Sequence, residues 1–234
     1  MRREIASKRL TPLNQRDAQS LSNQHLVSGK NPRPYGAGSV RRLPSKKIGE
    51  NREFTVNPNF IEFVKYSAQE FTKYVNAINP NRLLGNASTR CMYGFPAERK
   101  QDRIFVTQRN IDKQLIETKG FVEVNSANLE CVEYYGDKKP SVDTPIQLRL
   151  FDYYKNINYI VHGHVYVENG KKTKNKVPCG FVEEFDEILD LYPSPDESGF
   201  VVNLRGHGCL IMAETVEQLW RIGKNYNSRE FPEY

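Results

Sequence analysis

A mixed α/β fold, with a mainly antiparallel sheet flanked by helices, is predicted by three observations. Short segments at 87–93, 103–107, 120–124 and 131–135 alternate or run apolar and are separated by turn-rich stretches. Strands this close in sequence favour antiparallel pairing. Apolar residues recur at helical spacing elsewhere, first at Ile61, Val64, Ala68, Phe71, Val75 and Ile78. Finally, 234 residues of which 38% are hydrophobic suffice for one domain with a sizeable core but not for two.

The elements are expected in this order. Residues 1–50 carry eleven Lys/Arg against three Asp/Glu, a net +8, so the other 184 residues hold about −2 of the chain's +6. That stretch is rich in Asn, Gln, Ser, Pro and Gly and has little to bury, so it is expected to be a disordered basic extension preceding a domain at 51–234. The first helix starts near Asn57-Pro58 and stops at Asn79-Pro80. The four short strands follow. A second helix opens at Thr144-Pro145, since proline suits the first helical turn, and runs to about Tyr154. A strong strand is expected at 159–167, then a charged loop at 170–176 and a loop or short helix to Tyr192. Strands at 200–204 and 209–212 flank Gly206-His207-Gly208, and Thr215-Val-Glu-Gln218 has the capping-box pattern that begins the last helix.

Three of the four histidines lie in two short motifs. In Val161-His162-Gly163-His164 the strand period of two puts both imidazoles on one face. His207, between two glycines, can present a third where the backbone turns tightly. Three protein nitrogens with an open position is the arrangement of a catalytic zinc site; Mn²⁺, Co²⁺ and Fe²⁺ are alternatives. An isolated HxH on a strand is also found without any metal, so the surrounding motifs decide.

Those motifs resemble a known family. Pro140-Ser141-Val142-Asp143-Thr144-Pro145 followed 19 residues after Asp143 by His162-Gly163-His164 is similar to the central block of class II aldolases. Val177-Pro178-Cys179, Arg205-Gly206-His207-Gly208 with its following helix, and Gly85-Asn86-Ala87-Ser88 resemble further family segments in the same order. The resemblance covers about 57–226 and points to the class II aldolase and adducin-like superfamily, of the L-fuculose-phosphate aldolase and L-ribulose-5-phosphate 4-epimerase type. It implies a three-layer α/β/α sandwich and a homo-oligomer, commonly a tetramer with sites between subunits. It also implies metal-dependent cleavage or epimerisation next to a carbonyl, on a small sugar or sugar-phosphate substrate whose oxygens the metal polarises. By this resemblance His162, His164 and His207 hold the ion, expected to be Zn²⁺. Asp143 is a fourth ligand or a catalytic neighbour; a plain helix N-cap is the alternative. Gly85, Asn86 and Ser141 line the substrate site, and Arg109 supplies a phosphate-seeking charge or is simply solvated.

Departures from the family are equally plain. The stretch between His164 and Val177 is short and lacks the usual acid/base residue. Tyr166 lies there but reads as packing. A tyrosine of the last segment, Tyr226 or Tyr234, is the expected proton donor. A non-catalytic, adducin-like interaction domain that keeps the histidines is the alternative to an enzyme. Nucleic-acid binding would rest on the basic extension alone and is not expected. No apolar run reaches the roughly 20 residues needed to cross a bilayer. The four scattered cysteines fit reduced thiols in a cytoplasmic protein, with a mitochondrial presequence as the open alternative.

Overall fold

The structure, a computed structural model, describes residues 42–52, 58–71, 85–91, 103–112, 116–168 and 170–225. A single sheet of nine strands organises them. In chain order these are β1 (Ser45–Gly49), β2 (Asn86–Cys91), β3 (Arg103–Thr107), β4 (Phe121–Val124), β5 (Val132–Tyr135), β6 (Tyr159–Gly163), β7 (Lys171–Lys172), β8 (Gly199–Leu204) and β9 (Gly208–Ala213). Across the sheet they run β1-β5-β4-β3-β2-β6-β9-β8-β7. The inner pairs are antiparallel, whereas β1 lies parallel to β5 and β7 parallel to β8. The sheet is therefore mixed, with its parallel pairs confined to the two edges.

Period-two alternation sorts the side chains of the central strands into two cores. Phe105, Phe121, Tyr159, Val161, Cys209 and Ile211 join Phe60, Phe63 and Tyr66 of helix α1 (Pro58–Phe71) and Leu219 of α4 (Val216–Asn225). On the opposite face Ile104, Val122, Ile160, Leu210 and Met212 pack with Leu148 and Phe151 of α2 (Thr144–Tyr153) and Ile188 of α3 (Glu184–Leu191). Each fully buried side chain of this size contributes roughly 1.5–3 kcal/mol. Near-continuous burial of β6, β8 and β9 follows from having helices on both sides.

Several boundaries differ from the sequence-based expectation. Ser45–Gly49 belongs to the sheet, so the folded part takes in residues assigned above to the extension; the polar SKKIG segment is a strand because β5 supplies its pairing partners. Residues 1–41 lie outside the described residues, as do 72–84, where the first helix was expected to continue. The strand expected over 159–167 stops at Gly163, because the chain bends there rather than following β9 further. Part of the charged 170–176 stretch is β7, and the stretch before Tyr192 contains α3. At α4 the Thr215 hydroxyl accepts from Gln218 N at 3.1 Å and the Gln218 side chain accepts from Glu214 N at 2.9 Å, a reciprocal cap close to the expected one.

Candidate metal centre

Three imidazoles converge where β6 ends and β9 begins. The ring centroids are 4.9 Å apart for His162 and His164, 4.5 Å for His162 and His207, and 5.0 Å for His164 and His207. One donor nitrogen from each lies within 4.8 Å of the others, and all three residues are buried. His162 is in register with Asn86 on β2 and Leu210 on β9, at the centre of the sheet. His164 follows the end of β6. The shared orientation expected from strand periodicity is therefore produced by a strand and the bend after it.

His207 is delivered by close backbone approach. Gly208 has φ 153°, and a Cβ there would lie 2.0 Å from the Gly163 carbonyl oxygen, so only glycine lets β9 begin this close to β6. Gly206, at φ 70°, forms the turn before it, and its N–H donates to the Tyr166 hydroxyl at 2.6 Å. Tyr166, read from the sequence as packing alone, thus also pins the turn that presents His207.

The rings are oriented from behind. His162 Nδ1 donates to the Cys209 carbonyl at 2.8 Å, which turns Nε2 into the acceptor facing the centre. His207 Nδ1 donates to the Glu184 carboxylate at 2.9 and 3.1 Å, and its Nε2 is buried without a hydrogen-bond partner. A carboxylate behind a histidine whose other nitrogen stays open is the usual support of a metal-bound imidazole. Burial alone would depress the His207 pKa, but Glu184, aided by Cys179 and Asp143, raises it well above the ordinary value. Burial pushes the Glu184 carboxyl up against the opposing pull of His207. Sequence reasoning missed Glu184, which falls in the stretch read only as a loop or short helix; its burial at the start of α3 distinguishes it.

Asp143 sits at the N-cap position of α2 but makes no side-chain cap bond. Its carboxylate turns instead toward the histidines, with Oδ2 3.8 Å from His162 Nε2. Asn86 Nδ2 donates to Oδ2 at 2.7 Å and the Cys179 thiol to Oδ1 at 3.0 Å. Gln147 in turn donates to Asn86 Oδ1. Burial works against the Asp143 charge, yet His207 and His162, with the bonds from Cys179 and Asn86, hold its pKa below the ordinary value. Burial, then the adjacent Asp143, pushes the Cys179 thiol up.

The other expected site residues are divided. Asn86 is fully buried and its amide is used on Asp143 and Gln147, so its side chain orients the acid. Gly85 takes φ 81° immediately before it. Ser141 N donates to Thr107 O at 3.0 Å, and its hydroxyl accepts from Asp143 N at 3.4 Å, so it borders the acid. Arg109 is exposed, and its backbone N–H donates to Lys139 O at 2.9 Å. Tyr226 and Tyr234 lie outside the described residues. A separate cleft of about 450 Å³, between Arg52, Gln108, Lys119 and Tyr135, lies over β3 and β4 and includes none of the histidines.

This geometry accords with the comparisons. Residues 81–167 match the family model of the class II aldolase and adducin N-terminal domain. A class II aldolase domain from Thermoplasma acidophilum superposes with a TM-score of 0.54 at 16% identity, covering 78% of this chain and 97% of that one. L-fuculose 1-phosphate aldolase aligns at 16% identity over 70% of this chain and 84% of its own, with a TM-score of 0.46. YgbL of Escherichia coli, a putative aldolase/epimerase/decarboxylase, aligns at 14% over 70% and 86%, with a TM-score of 0.48. Of these three, the Thermoplasma domain carries the fold assignment. No curated protein sequence matches. The resemblance to the class II aldolase and adducin-like superfamily is thereby shown. Among the described residues no helix is long and apolar enough to cross a membrane.

Proposed function

We propose that this chain is a metal-dependent lyase or epimerase acting next to a carbonyl on a small sugar or sugar-phosphate. The observation that carries this reading is the buried convergence of His162, His164 and His207, with His207 Nε2 open and its Nδ1 anchored on Glu184. The donor set fits a divalent ion, Zn²⁺ being the best match to three imidazoles and a carboxylate. When bound, such an ion polarises a carbonyl or hydroxyl oxygen.

The chain's own residues then have separable tasks. His162 and His207 present preset acceptor nitrogens. Asp143, held by Asn86 and Cys179, stays ionised beside them and serves as a fourth ligand or as the base that moves a proton at the substrate carbon. Gly85 and Ser141 border the substrate side, and Arg109 offers its charge to a phosphate. The remaining proton donor is assigned to Tyr234, from a neighbouring copy in a homotetramer. The helices on both sheet faces fit the α/β/α layering of the family, and the cytoplasm is the proposed compartment.

Metal analysis of the purified chain, followed by assay against pentulose and hexulose phosphates, tests this reading. About one ion per chain and metal-dependent turnover are expected. A stoichiometrically metal-free protein that refuses added Zn²⁺ would overturn it in favour of a non-catalytic interaction domain.

A further inference from the structure

His207 belongs to two donor groups at once. One is the histidine trio; the other is Asp143, Cys179 and His207, whose ligand atoms also lie within 4.8 Å of one another. The two groups touch through Asp143 as well, since its Oδ2 is 3.8 Å from His162 Nε2 while its Oδ1 accepts the Cys179 thiol. One zinc ion with bonds of roughly 2.0–2.3 Å spans donors up to about 4–4.6 Å apart, so the two groups, each closing within 4.8 Å, would draw slightly together around a shared ion. The cysteine is held in place by its own loop. Gly180 takes φ 81°, and a Cβ there would meet the Val142 carbonyl oxygen at 2.9 Å, so the loop is packed directly on the residue preceding Asp143. From the other side the Arg42 guanidinium donates to the Cys179 carbonyl at 3.4 Å and lies over the Phe181 ring. His207 Nε2 is buried and makes no hydrogen bond, so it is available to coordinate.

We propose that Cys179 is a further ligand of this metal centre, making it a mixed histidine, carboxylate and thiolate site rather than one built from histidines and Asp143 alone. This rests on the metal-binding reading above. The thiol proton now directed at Asp143 Oδ1 leaves to bulk water as the sulfur–metal bond forms, which also frees that oxygen. A thiolate donor shifts preference toward thiophilic ions such as Zn²⁺, Co²⁺ and Cd²⁺ and away from Mg²⁺ and Mn²⁺.

The test is titration of the full-length chain with Co²⁺, read by absorption. Wild type is expected to show visible ligand-field bands together with a near-ultraviolet sulfur-to-cobalt charge-transfer band. Cys179→Ser should keep the former, lose the latter and bind about tenfold more weakly or worse. Cys131→Ser should retain both. A charge-transfer band that survives Cys179→Ser, or ligand-field bands without any charge transfer in wild type, overturns the cysteine assignment alone. Absence of every cobalt band overturns the metal reading with it. Should the variant fail to fold, alkylation of wild type decides the matter: Cys179 should react with iodoacetamide at least several-fold more slowly with Zn²⁺ present, and equal rates refute the proposal.

Discussion

Two buried carboxylates, Glu123 on β4 and Glu184 at the start of α3, are treated in opposite ways. Glu123 receives hydrogen bonds from both Arg52 and Arg103, with the Arg103 Nε contact at 2.8 Å, so both its oxygens are consumed by fixed cations. Glu184 is given a single imidazole, whose second nitrogen makes no hydrogen bond and whose ring is shared by two groups holding four further donors. A closed ion cluster such as the first leaves no carboxylate oxygen without a cation. The second is an orienting group, and its worth lies in what the far side of the ring can still do. Burial of charge alone therefore does not mark a functional centre; an unspent coordinating atom does.

The largest contrast is expected from removing the ring itself. His207→Ala should abolish metal binding, measured by elemental analysis, while the circular dichroism spectrum remains that of the parent; full retention of metal would remove the distinction between the two carboxylates. Next comes the closed pair. Arg103→Leu leaves Glu123 buried with only the half-exposed Arg52 and should cost about 2 kcal/mol or more in urea unfolding. Glu123→Leu frees two arginines that can reach water and should cost less. Neither should alter metal affinity, and a drop in affinity would show that the two ends of the sheet are coupled.

Glu184→Gln sharpens the comparison further. It retains size and a hydrogen-bonding side chain but removes the charge behind His207, and should weaken metal binding roughly 10–100-fold in a chelator competition. The smallest effect concerns the strand that the sheet recruits from the basic segment. Deleting residues 1–50 removes β1 and should lower the melting temperature by about 2–4 °C for each kcal/mol of edge pairing lost. Deleting 1–41 spares β1 and should leave it within about 1 °C, as expected from the composition of that stretch.

The central strands, α2 and α4 were legible because their apolar residues alternate or recur along the chain without help from distant partners. Thr144-Pro145 and Thr215 announced their helices through local backbone chemistry. The histidines were legible because imidazole is scarce in this chain and the motifs around it are ordered. What could not be read depends on long-range contact. Ser45–Gly49 and Lys171–Lys172 are polar, lysine-rich edge strands that owe their conformation to β5 and β8. Glu184 resembles an ordinary polar residue until folding buries it against His207, and Asn86, placed at the substrate site by its motif, is turned onto Asp143 only by the fold. The bend after Gly163 lies against Gly208, a contact across more than forty residues.

That last contact has a temporal consequence. β9, the last strand among the described residues, inserts between β6 and β8, so this part of the sheet is closed by a strand that follows both of its neighbours in sequence. A nascent chain emerging from the ribosome would already carry Asp143, His162, His164 and Cys179, yet lack the histidine common to both donor groups. Capture of an ion at the proposed centre would therefore wait on a non-local strand docking, the kind of step that is slow because loop closure precedes its reward. Once made, it locks the newest segment to the oldest part of the centre. On the metal-binding reading proposed above, an ion would tie the segment around His207 to β6, and chains truncated before His207 would lack the residue common to both donor groups.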